Sequence, residues 1–282
     1  MESYRAGGLH VVRSGPPRGT ALAGPPLLLV HGAAHGAWCW ELWQEKLPGL
    51  GWESHALSLR NHPHSDPVEE ETFRTRLRLA DYGDDVAAVA GQIVTPCVVI
   101  GHSMGGMVAQ DFVSRRLESG KPVAGLVLLA SAAPAQLGPA IDTPFPKDRP
   151  FLFDRETTTQ RYFHTTPPER LERALDRLVP ESTAVINEIL APPGVSIEAS
   201  RITCPVLSVT AGFDGTPVPK DGALAEYYGG EHILDAGNGH DLMLEAGWEA
   251  LLERILDWIS RRAAKPAGPA VKTAVKPAVR PW

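Results

Sequence analysis

The sequence contains little cysteine, no long apolar run and no excess of positive charge. Its three cysteines, Cys39, Cys97 and Cys204, lack the CxxC or CxH spacing of metal sites, and their odd number argues against a disulfide framework. This usage is typical of a reducing compartment. No stretch approaches the roughly 18 apolar residues of a membrane span, and the amino-terminal residues lack the apolar region of a signal peptide. These absences predict a soluble, cytoplasmic protein.

Positively charged residues are also in the minority. The chain has 27 Lys and Arg residues against 33 Asp and Glu residues, so its formal net charge is −6. Proteins that bind nucleic acid or an anionic membrane present a basic face, and we therefore expect neither as a partner. With 43% hydrophobic and 21% charged residues, the 282-residue chain has the composition of a globular protein with one large or two small domains.

Short apolar runs alternate with longer helical patterns along most of the chain. Several runs, such as PPLLLVHG and VAGLVLLAS, are continuously apolar, which indicates parallel strands buried on both faces. The predicted strands are 8–12, 27–31, 54–59, 97–101, 123–130, 206–210 and 231–235. The predicted helices are 38–50, 82–93, 104–117, 218–228 and 245–262. This alternation predicts an α/β fold with a mostly parallel central sheet and flanking helices.

The alternation stops between residues 134 and 201, where prolines are frequent. PPERLERALDRLVP and PESTAVINEIL predict two short helices that begin at proline. We therefore expect 134–201 to be a small helical cap inserted into a core formed by 1–133 and 202–262. The last segment, 263–282, has four basic and no acidic residues among Ala and Pro, so it is predicted to be a low-complexity tail.

The most specific motif is a Gly-x-Ser-x-Gly turn centred on Ser103. In CVVIGHSMGGMVAQDFV it follows an apolar strand and precedes an amphipathic helix. A nucleophile elbow needs this context, because its serine lies on a strained strand-to-helix turn where glycines let the chains pass closely. The turn exposes the hydroxyl beside a helix N-terminus with free amides. Ser103 is the predicted nucleophile, against the alternative of a chance glycine turn.

A serine hydroxyl needs a general base, and His240 is the candidate. It lies in the Gly-rich stretch AGNGHD, after the last predicted strand and before the last helix. Such a loop opens at the carboxyl edge of the sheet, where open α/β folds bind ligands. The other histidines lack this position in the sequence, and for them a surface or packing role is expected.

The acid that orients the base should follow an earlier strand, and Asp214 directly follows the strand VLSVT. Asp221, Asp235 and Asp241 compete for this role. Asp235 ends a strand, however, Asp221 begins a predicted helix, and Asp241 adjoins His240 too closely to reach its far nitrogen. The chain order of nucleophile, Asp214 and His240 matches that of α/β-hydrolase triads.

Two backbone amides should stabilise the developing oxyanion. One is the amide of Met104, directly after the nucleophile, and the other is expected in the loop HGAAHGAW, where we choose Ala33. His31 and His35 in this loop are four residues apart, which could suggest metal ligands. No third ligand is indicated, so structural imidazoles are expected and no metal is predicted.

Four stretches together resemble the α/β-hydrolase superfamily: HGAAHGAWCW, GHSMGG, GFDGTPVP and GNGHDLML. The resemblance covers about residues 8–262, and the first stretch is especially similar to plant methyl esterases and hydroxynitrile lyases. It implies Ser-His-Asp catalysis without a cofactor on small esters or cyanohydrins. The lyases of that group typically carry Thr where Gly32 stands and Lys where Asp241 stands, so the resemblance favours ester hydrolysis. Ser103 excludes enzymes with an aspartate nucleophile.

The residues that line the substrate pocket are the hardest to predict from the sequence. The predicted cap is rich in aromatic residues: Phe145, Phe151, Phe153, Tyr162 and Phe163. Packing of the cap on the core explains them equally well, but if two face inward the pocket is apolar. The residues chosen as substrate-binding are His102, Leu242, Met243 and Phe145. His62 and His64 lie in a loop at the same sheet edge, and a solvated loop is expected there.

The sequence therefore predicts a serine hydrolase that cleaves a small, largely apolar carboxylic ester or lactone through an acyl-enzyme. A small-molecule ester is the expected partner, and a homodimer is left open. Two alternatives remain. One is a hydroxynitrile lyase or carbon–carbon bond hydrolase that uses the same triad, and the other is a ligand receptor on a hydrolase scaffold.

Overall fold

An eight-stranded sheet forms the centre of the computed structural model, which describes residues 1–263. In chain order the strands are β1 (Glu2–Ala6), β2 (Leu9–Ser14), β3 (Leu27–Val30), β4 (Ser54–Leu57), β5 (Val98–His102), β6 (Gly125–Leu129), β7 (Val206–Ala211) and β8 (Glu231–Asp235). Their order in space is β1-β2-β4-β3-β5-β6-β7-β8. β2 is antiparallel to both of its neighbours, and every other neighbouring pair is parallel.

Helices cover both faces of this sheet. They are α1 (Glu41–Lys46), α2 (Glu70–Thr75), α3 (Leu79–Ala90), α4 (Met104–Glu118), α5 (Arg155–Tyr162), α6 (Pro168–Arg177), α7 (Thr183–Leu190), α8 (Ala223–Tyr228) and α9 (Trp248–Arg262). The apolar run of β3 shows why both faces are buried. Leu28 and Val30 join the apolar cluster that includes α3 and α4, whereas Leu27 and Leu29 join the cluster that includes α9. The predicted α/β architecture is confirmed.

The amino-terminal hairpin differs from the single strand predicted at 8–12. Glu2–Ala6 is mostly exposed and polar, so no apolar run marks it, yet it pairs with β2 along its whole length. The chain reverses at Gly7, whose φ of 62° suits glycine. An edge strand is held by backbone hydrogen bonds to one neighbour, so its side chains carry little signal.

Two predicted helices differ from the structure in their bounds. The helix predicted at 38–50 is interrupted, with α1 lying between two short 3-10 segments, Ala37–Trp40 and Leu47–Leu50. The helix predicted from residue 218 begins only at Ala223. Pro48 lies in the second 3-10 segment and lacks the amide hydrogen that a continuous helix requires, whereas Asp221 and Gly222, with φ of 55° and 77°, prevent a helix from continuing through them before Ala223.

The segment between β6 and β7 carries the helices of the cap, which we define as residues 134–201. Two of them, α6 and α7, fall within the stretches predicted to be helical, and α5 is additional. The sequence of α5, RETTTQRY, has no apolar periodicity. Its start is fixed instead by Asp154, whose carboxylate accepts a hydrogen bond of 2.7 Å from the amide of Thr157.

The composition of the sequence predicted a low-complexity tail and the absence of membrane spans. Beyond Ala263, the predicted tail lies outside the described residues. Within residues 1–263, no helix has both the length and the apolar character that spanning a membrane requires.

Candidate active site

Ser103 lies at the turn between β5 and α4. Its φ and ψ of 53° and −121° are strained for a residue with a Cβ atom. Two hydrogen bonds hold the turn: the Ser103 amide donates to the carbonyl of Leu129 at 2.9 Å, and the Gly106 amide donates to the carbonyl of Ser103 at 3.0 Å. A Cβ atom on Gly105 would lie 2.1 Å from the carbonyl oxygen of His31, so this position requires glycine. The turn therefore has the geometry of a nucleophile elbow, with Ser103 partly exposed.

His240 and Asp214 lie in the loops after β8 and β7, at the carboxyl edge of the sheet. The Nδ1 of His240 donates a hydrogen bond of 2.8 Å to Oδ2 of Asp214. The other carboxylate oxygen, Oδ1, accepts from the amide of Thr216 at 2.8 Å and from its hydroxyl at 2.7 Å. Both titratable side chains are buried. This pairing leaves Nε2 of His240 as the nitrogen available for proton transfer, and Nε2 makes no hydrogen bond to any residue in 1–263, Ser103 included.

The electrostatics of this pair follow from its burial and its contacts. Burial alone would lower the pKa of His240, but the Asp214 carboxylate outweighs it and raises that pKa above its ordinary value. Burial would likewise raise the pKa of Asp214, but the His240 imidazolium and the hydrogen bonds from His240 and Thr216 lower it. The pair therefore favours an ionised carboxylate beside an imidazole that readily accepts a proton.

The three competing aspartates make other contacts. Asp241 accepts a hydrogen bond of 3.0 Å from Nε2 of His35, and Asp235 accepts one of 2.9 Å from the Asn238 amide group. Asp221 lies at a positive φ of 55° just before α8. Among residues 1–263, Asp214 is the acid that hydrogen-bonds His240.

Ala33 and Met104 lie beside Ser103 in the wall of one cavity. Within residues 1–263, neither of their backbone amides donates a hydrogen bond, although both residues are buried. Buried amides are normally paired, so two free amides next to a serine provide the donors that an oxyanion requires.

The two histidines of the Ala33 loop are hydrogen-bonded on both ring nitrogens. Nδ1 of His31 contacts the Gly32 carbonyl at 2.8 Å, and its Nε2 accepts from the Leu59 amide at 3.0 Å. His35 contacts the Ala33 carbonyl at 2.7 Å through Nδ1 and reaches Asp241 through Nε2. These contacts support the structural role predicted for both residues.

Three other side chains, those of His102, His240 and Asp241, lie close enough together to be compared with a metal site. His102, His240 and Asp241 are fully buried and place their ligand-type atoms within 4.8 Å of one another. However, His240 uses Nδ1 for Asp214, and Nε2 of His102 donates to the carbonyl of His240 at 3.0 Å. Burial, followed by the charge of His240, lowers the pKa of His102 to about 3, so its imidazole is neutral. This group is better described as a hydrogen-bonded network than as a metal centre.

A second buried network was not predicted and connects the cap to the Ala33 loop. Glu181 of the cap has no exposed surface, and its Oε2 accepts hydrogen bonds from the Ala34 amide at 3.2 Å and from Nε2 of His62 at 2.9 Å. Its Oε1 accepts from the Tyr82 hydroxyl at 2.6 Å. In addition, the Val179 amide donates to the Ala34 carbonyl at 2.9 Å, and Ala34 has a positive φ of 66°. The cap therefore forms hydrogen bonds with both the amide and the carbonyl of Ala34, the residue next to Ala33.

The charges in this network stabilise each other. Burial would raise the pKa of Glu181, but the charge of His62 and hydrogen bonds from its neighbours lower it. Burial would lower the pKa of His62, but the Glu181 carboxylate raises it. His62, for which a solvated loop was expected, is thus a buried partner of the cap and makes no contribution to the wall of the Ser103 cavity.

The cavity at Ser103 is small, with a volume of about 90 Å³. Its apolar side chains come largely from the cap. The lining residues are Ala33, Ser103, Met104, Ala132, Ile141, Phe145, Phe151, Phe153, Arg161, Tyr162, Ile186, Ile189, Leu190, Thr216, Pro217 and Val218. A groove of about 770 Å³ lies elsewhere, near Pro26 and Pro205, and its lining includes no predicted triad residue.

Of the four residues predicted to bind substrate, Phe145 lines this cavity and the other three do not. Leu242 and Met243 have no exposed surface and pack in the apolar cluster that includes α9. His102 is fully buried beneath the elbow and contacts the His240 carbonyl. His102, Leu242 and Met243 are neighbours of predicted catalytic residues in the chain, but their side chains do not line the pocket. The sequence analysis also missed Arg161, Thr216 and the α7 residues of the wall.

Comparisons with known proteins agree with this architecture. A model of the alpha/beta hydrolase family matches residues 27–265. Protein phosphatase methylesterase 1 from Homo sapiens is 34% identical over 95 residues, which cover 33% of this chain and 25% of that protein. The bovine protein gives the same identity and coverage. The chain thus matches about a quarter of the length of these curated relatives.

Solved structures resemble the chain over most of its length. A methylesterase from Arabidopsis superposes with a TM-score of 0.69 and 16% identity, covering 84% of this chain and 99% of that one. A thermophilic esterase from Thermogutta terrifontis gives a TM-score of 0.69 and 20% identity, covering 90% and 93%. Polyneuridine aldehyde esterase gives a TM-score of 0.67 and 18% identity, covering 83% and 99%. At these identities the likeness concerns the fold.

Proposed function

Because this chain belongs to the alpha/beta hydrolase family, we propose that it is a serine esterase that cleaves small, largely apolar carboxylic esters or lactones. The observation that carries the proposal is the combination of the Ser103 elbow with the His240–Asp214 pair. Methylesterases and esterases among the similar proteins support the same reaction class.

In the proposed mechanism, Ser103 Oγ attacks the ester carbonyl carbon while Nε2 of His240 removes the hydroxyl proton. The carbonyl oxygen becomes an oxyanion, to which the amides of Ala33 and Met104 donate hydrogen bonds. Asp214 stabilises the resulting imidazolium. The alcohol then leaves with the proton from His240, and the acyl group remains on Ser103.

Water then hydrolyses the acyl-enzyme with the help of the same residues. His240 removes a proton from the water, whose oxygen attacks the acyl carbon. When the tetrahedral intermediate collapses, Ser103 Oγ takes the proton back from His240 and the carboxylic acid is released. The chemistry requires no group beyond the protein side chains, the backbone amides and water.

The pocket argues for a compact substrate. A cavity of about 90 Å³ with mostly apolar walls accommodates a short acyl or alcohol group. Phe145, Phe151 and Phe153 pack edge to face along one wall, with ring centroids 4.8 to 6.4 Å apart. Rigid aromatic rings limit the size of the group that enters.

The position of Gly32 supports ester hydrolysis over cyanohydrin cleavage. A Cβ atom there would lie 2.7 Å from Nδ1 of His102 and 3.1 Å from Cβ of Ser103. A threonine, as the resembling lyases carry, would force the elbow to shift. The lysine of those lyases is also replaced by Asp241, which is buried against His35.

The test is a panel of p-nitrophenyl esters of increasing acyl length, together with a lactone and mandelonitrile. We expect steady turnover that is fastest for short acyl groups, no cleavage of mandelonitrile, and loss of turnover in Ser103→Ala. A stoichiometric burst without turnover would support a ligand receptor, and cleavage of mandelonitrile would support a lyase. Either result would overturn the esterase proposal.

A further inference from the structure

The cavity at Ser103 contains one charged side chain, Arg161, among its sixteen lining residues. Every other lining residue is apolar, a neutral hydroxyl or a neutral phenol. Arg161 is partly exposed, and none of the other lining residues offers its guanidinium a carboxylate. The guanidinium therefore has no partner of opposite charge within the cavity wall.

Contacts to the catalytic loops fix the backbone of Arg161. Its carbonyl accepts a hydrogen bond of 3.1 Å from the amide of Gly215, the residue after Asp214. The next residue, Tyr162, packs against the ring of His240 with a centroid distance of 5.2 Å, and its carbonyl accepts from the Asp241 amide at 2.9 Å. Arg161 is thus held to the loops of both the proposed acid and the proposed base.

The guanidinium of Arg161 lies against another wall residue. Its Cζ atom is 5.0 Å from the centre of the Phe153 ring. This cation–π contact involves the face of the guanidinium. The N–H donors at its edge stay free, and their geometry matches that of a carboxylate.

Several arginines of the cap have protein partners, whereas the side chains of Arg161 and of the exposed Arg149 have none among residues 1–263, and of these two only Arg161 lines the Ser103 cavity. Arg155 pairs with Asp176 at 2.7 Å and with Glu172 at 2.6 Å, and Arg177 pairs with Glu41 at 2.5 Å. Arg170 donates to the Leu244 carbonyl at 2.9 Å. The side chain of Arg161 appears in no ion pair and no hydrogen bond of the described residues, so its donors are available to a ligand.

We propose that Arg161 is a specificity residue that binds a second, ionised carboxylate on the ester substrate. The preferred substrates are then half-esters of short dicarboxylic acids, with the ester carbonyl at Ser103, an apolar spacer along the aromatic wall and the free carboxylate at Arg161. This inference rests on the proposed esterase function and names its substrate class. An apolar wall strengthens the ion pair, because water competes less for both charges.

The experiment compares the monomethyl esters of succinate, glutarate and adipate with the matching amides, in which a neutral carboxamide replaces the carboxylate. For the best spacer length, we expect kcat/KM of the half-ester to exceed that of its amide by about 10- to 100-fold, the range for a hydrogen bond to a charged group. Arg161→Gln should abolish this preference, because it should lower kcat/KM of the half-ester far more than kcat/KM of the amide. Arg161→Lys should keep part of it, since the charge remains but the planar fork is lost.

Arg173→Gln is the matched control. It removes the same charge from the cap, but Arg173 lies outside the Ser103 cavity and its side chain is 75% exposed. The control should retain the full preference for the half-ester. Equal rates for half-ester and amide in the native chain, or an equal loss on both substrates in Arg161→Gln, would overturn the proposal.

A binding measurement separates this inference from the esterase proposal. Calorimetry on Ser103→Ala with monomethyl glutarate needs no turnover, and Arg161→Gln in that background should weaken binding by about 10- to 100-fold. Intact binding in the double variant contradicts the role of Arg161. The converse result is binding that depends on Arg161 in a protein whose native chain hydrolyses no ester. That result would support the carboxylate subsite and contradict the esterase function.

Discussion

The loops of the core and the cap contribute to the proposed site in different ways. The core supplies Ser103, Asp214 and His240, and the last two are joined by a buried hydrogen bond of 2.8 Å. The cap supplies most of the cavity wall and joins the core through Glu181 and through Arg161. In the proposed function, the chemistry is thus assigned to the core and the selectivity to the cap, and the two regions can be altered separately. Variants of the core should slow every substrate alike, whereas variants of the cap wall should discriminate between substrates.

The largest effect is expected from Ser103→Ala. Without the attacking oxygen no acyl-enzyme forms, and kcat should fall by about 10⁶-fold for every ester. The melting temperature should stay close to that of the native chain, because the Ser103 hydroxyl makes no hydrogen bond to residues 1–263. Progress curves with short and long acyl esters check both points, and a loss limited to some esters would break the division between core and cap.

Asp214→Asn should lower kcat by about 10⁴-fold for all substrates, because an amide cannot stabilise the imidazolium. His240 must be neutral to accept a proton, so activity rises as pH increases through its pKa, and Asp214 raises that pKa. Removing the carboxylate should therefore move the acidic limb of the rate profile to lower pH. Asp221→Asn and Asp235→Asn are the controls, and a larger loss in either would identify a different acid.

Glu181→Gln tests whether the cap also positions the oxyanion loop. The variant keeps the size of the side chain but loses the charge that pairs with His62. Shifting a donor costs less than removing one, which costs about 10² to 10³ in kcat, so we expect a loss of about tenfold in kcat with little change in KM. Rates and melting curves should be compared with Glu169→Gln, an exposed glutamate at the start of α6. A change in KM alone would mean that Glu181 affects only the pocket.

The smallest and most selective effect is expected from Phe145→Ala. It enlarges one wall of the cavity, and the ratio of kcat/KM for long over short acyl esters should rise by about tenfold. Rates with the short esters alone should fall only a few-fold, since the triad loops are untouched. Equal changes for every acyl length would contradict a role of this ring in selectivity.

The core was more predictable from the sequence than the cap. The elbow and the Asp214 loop follow the buried parallel strands β5 and β7, so apolar runs mark their places, whereas the His240 loop follows the partly exposed edge strand β8 and is marked by its glycines. Glu181 could not be predicted in this way, because its partners Tyr82 and His62 are 99 and 119 residues distant in the chain. Leu242 and Met243 were chosen for their adjacency to His240, but the chain turns inward there and buries them.

The order of the elements along the chain bears on how the protein is made. Ser103 follows β5, the cap comes next, and Asp214 and His240 arrive only with β7 and β8. At a synthesis rate of about 5 to 20 residues per second, roughly 7 to 27 s separate the translation of Ser103 from that of His240. During that interval the nascent chain carries the proposed nucleophile without the proposed base. If these groups act as proposed, hydrolysis begins only after the cap has been synthesised and the last strand has joined the sheet.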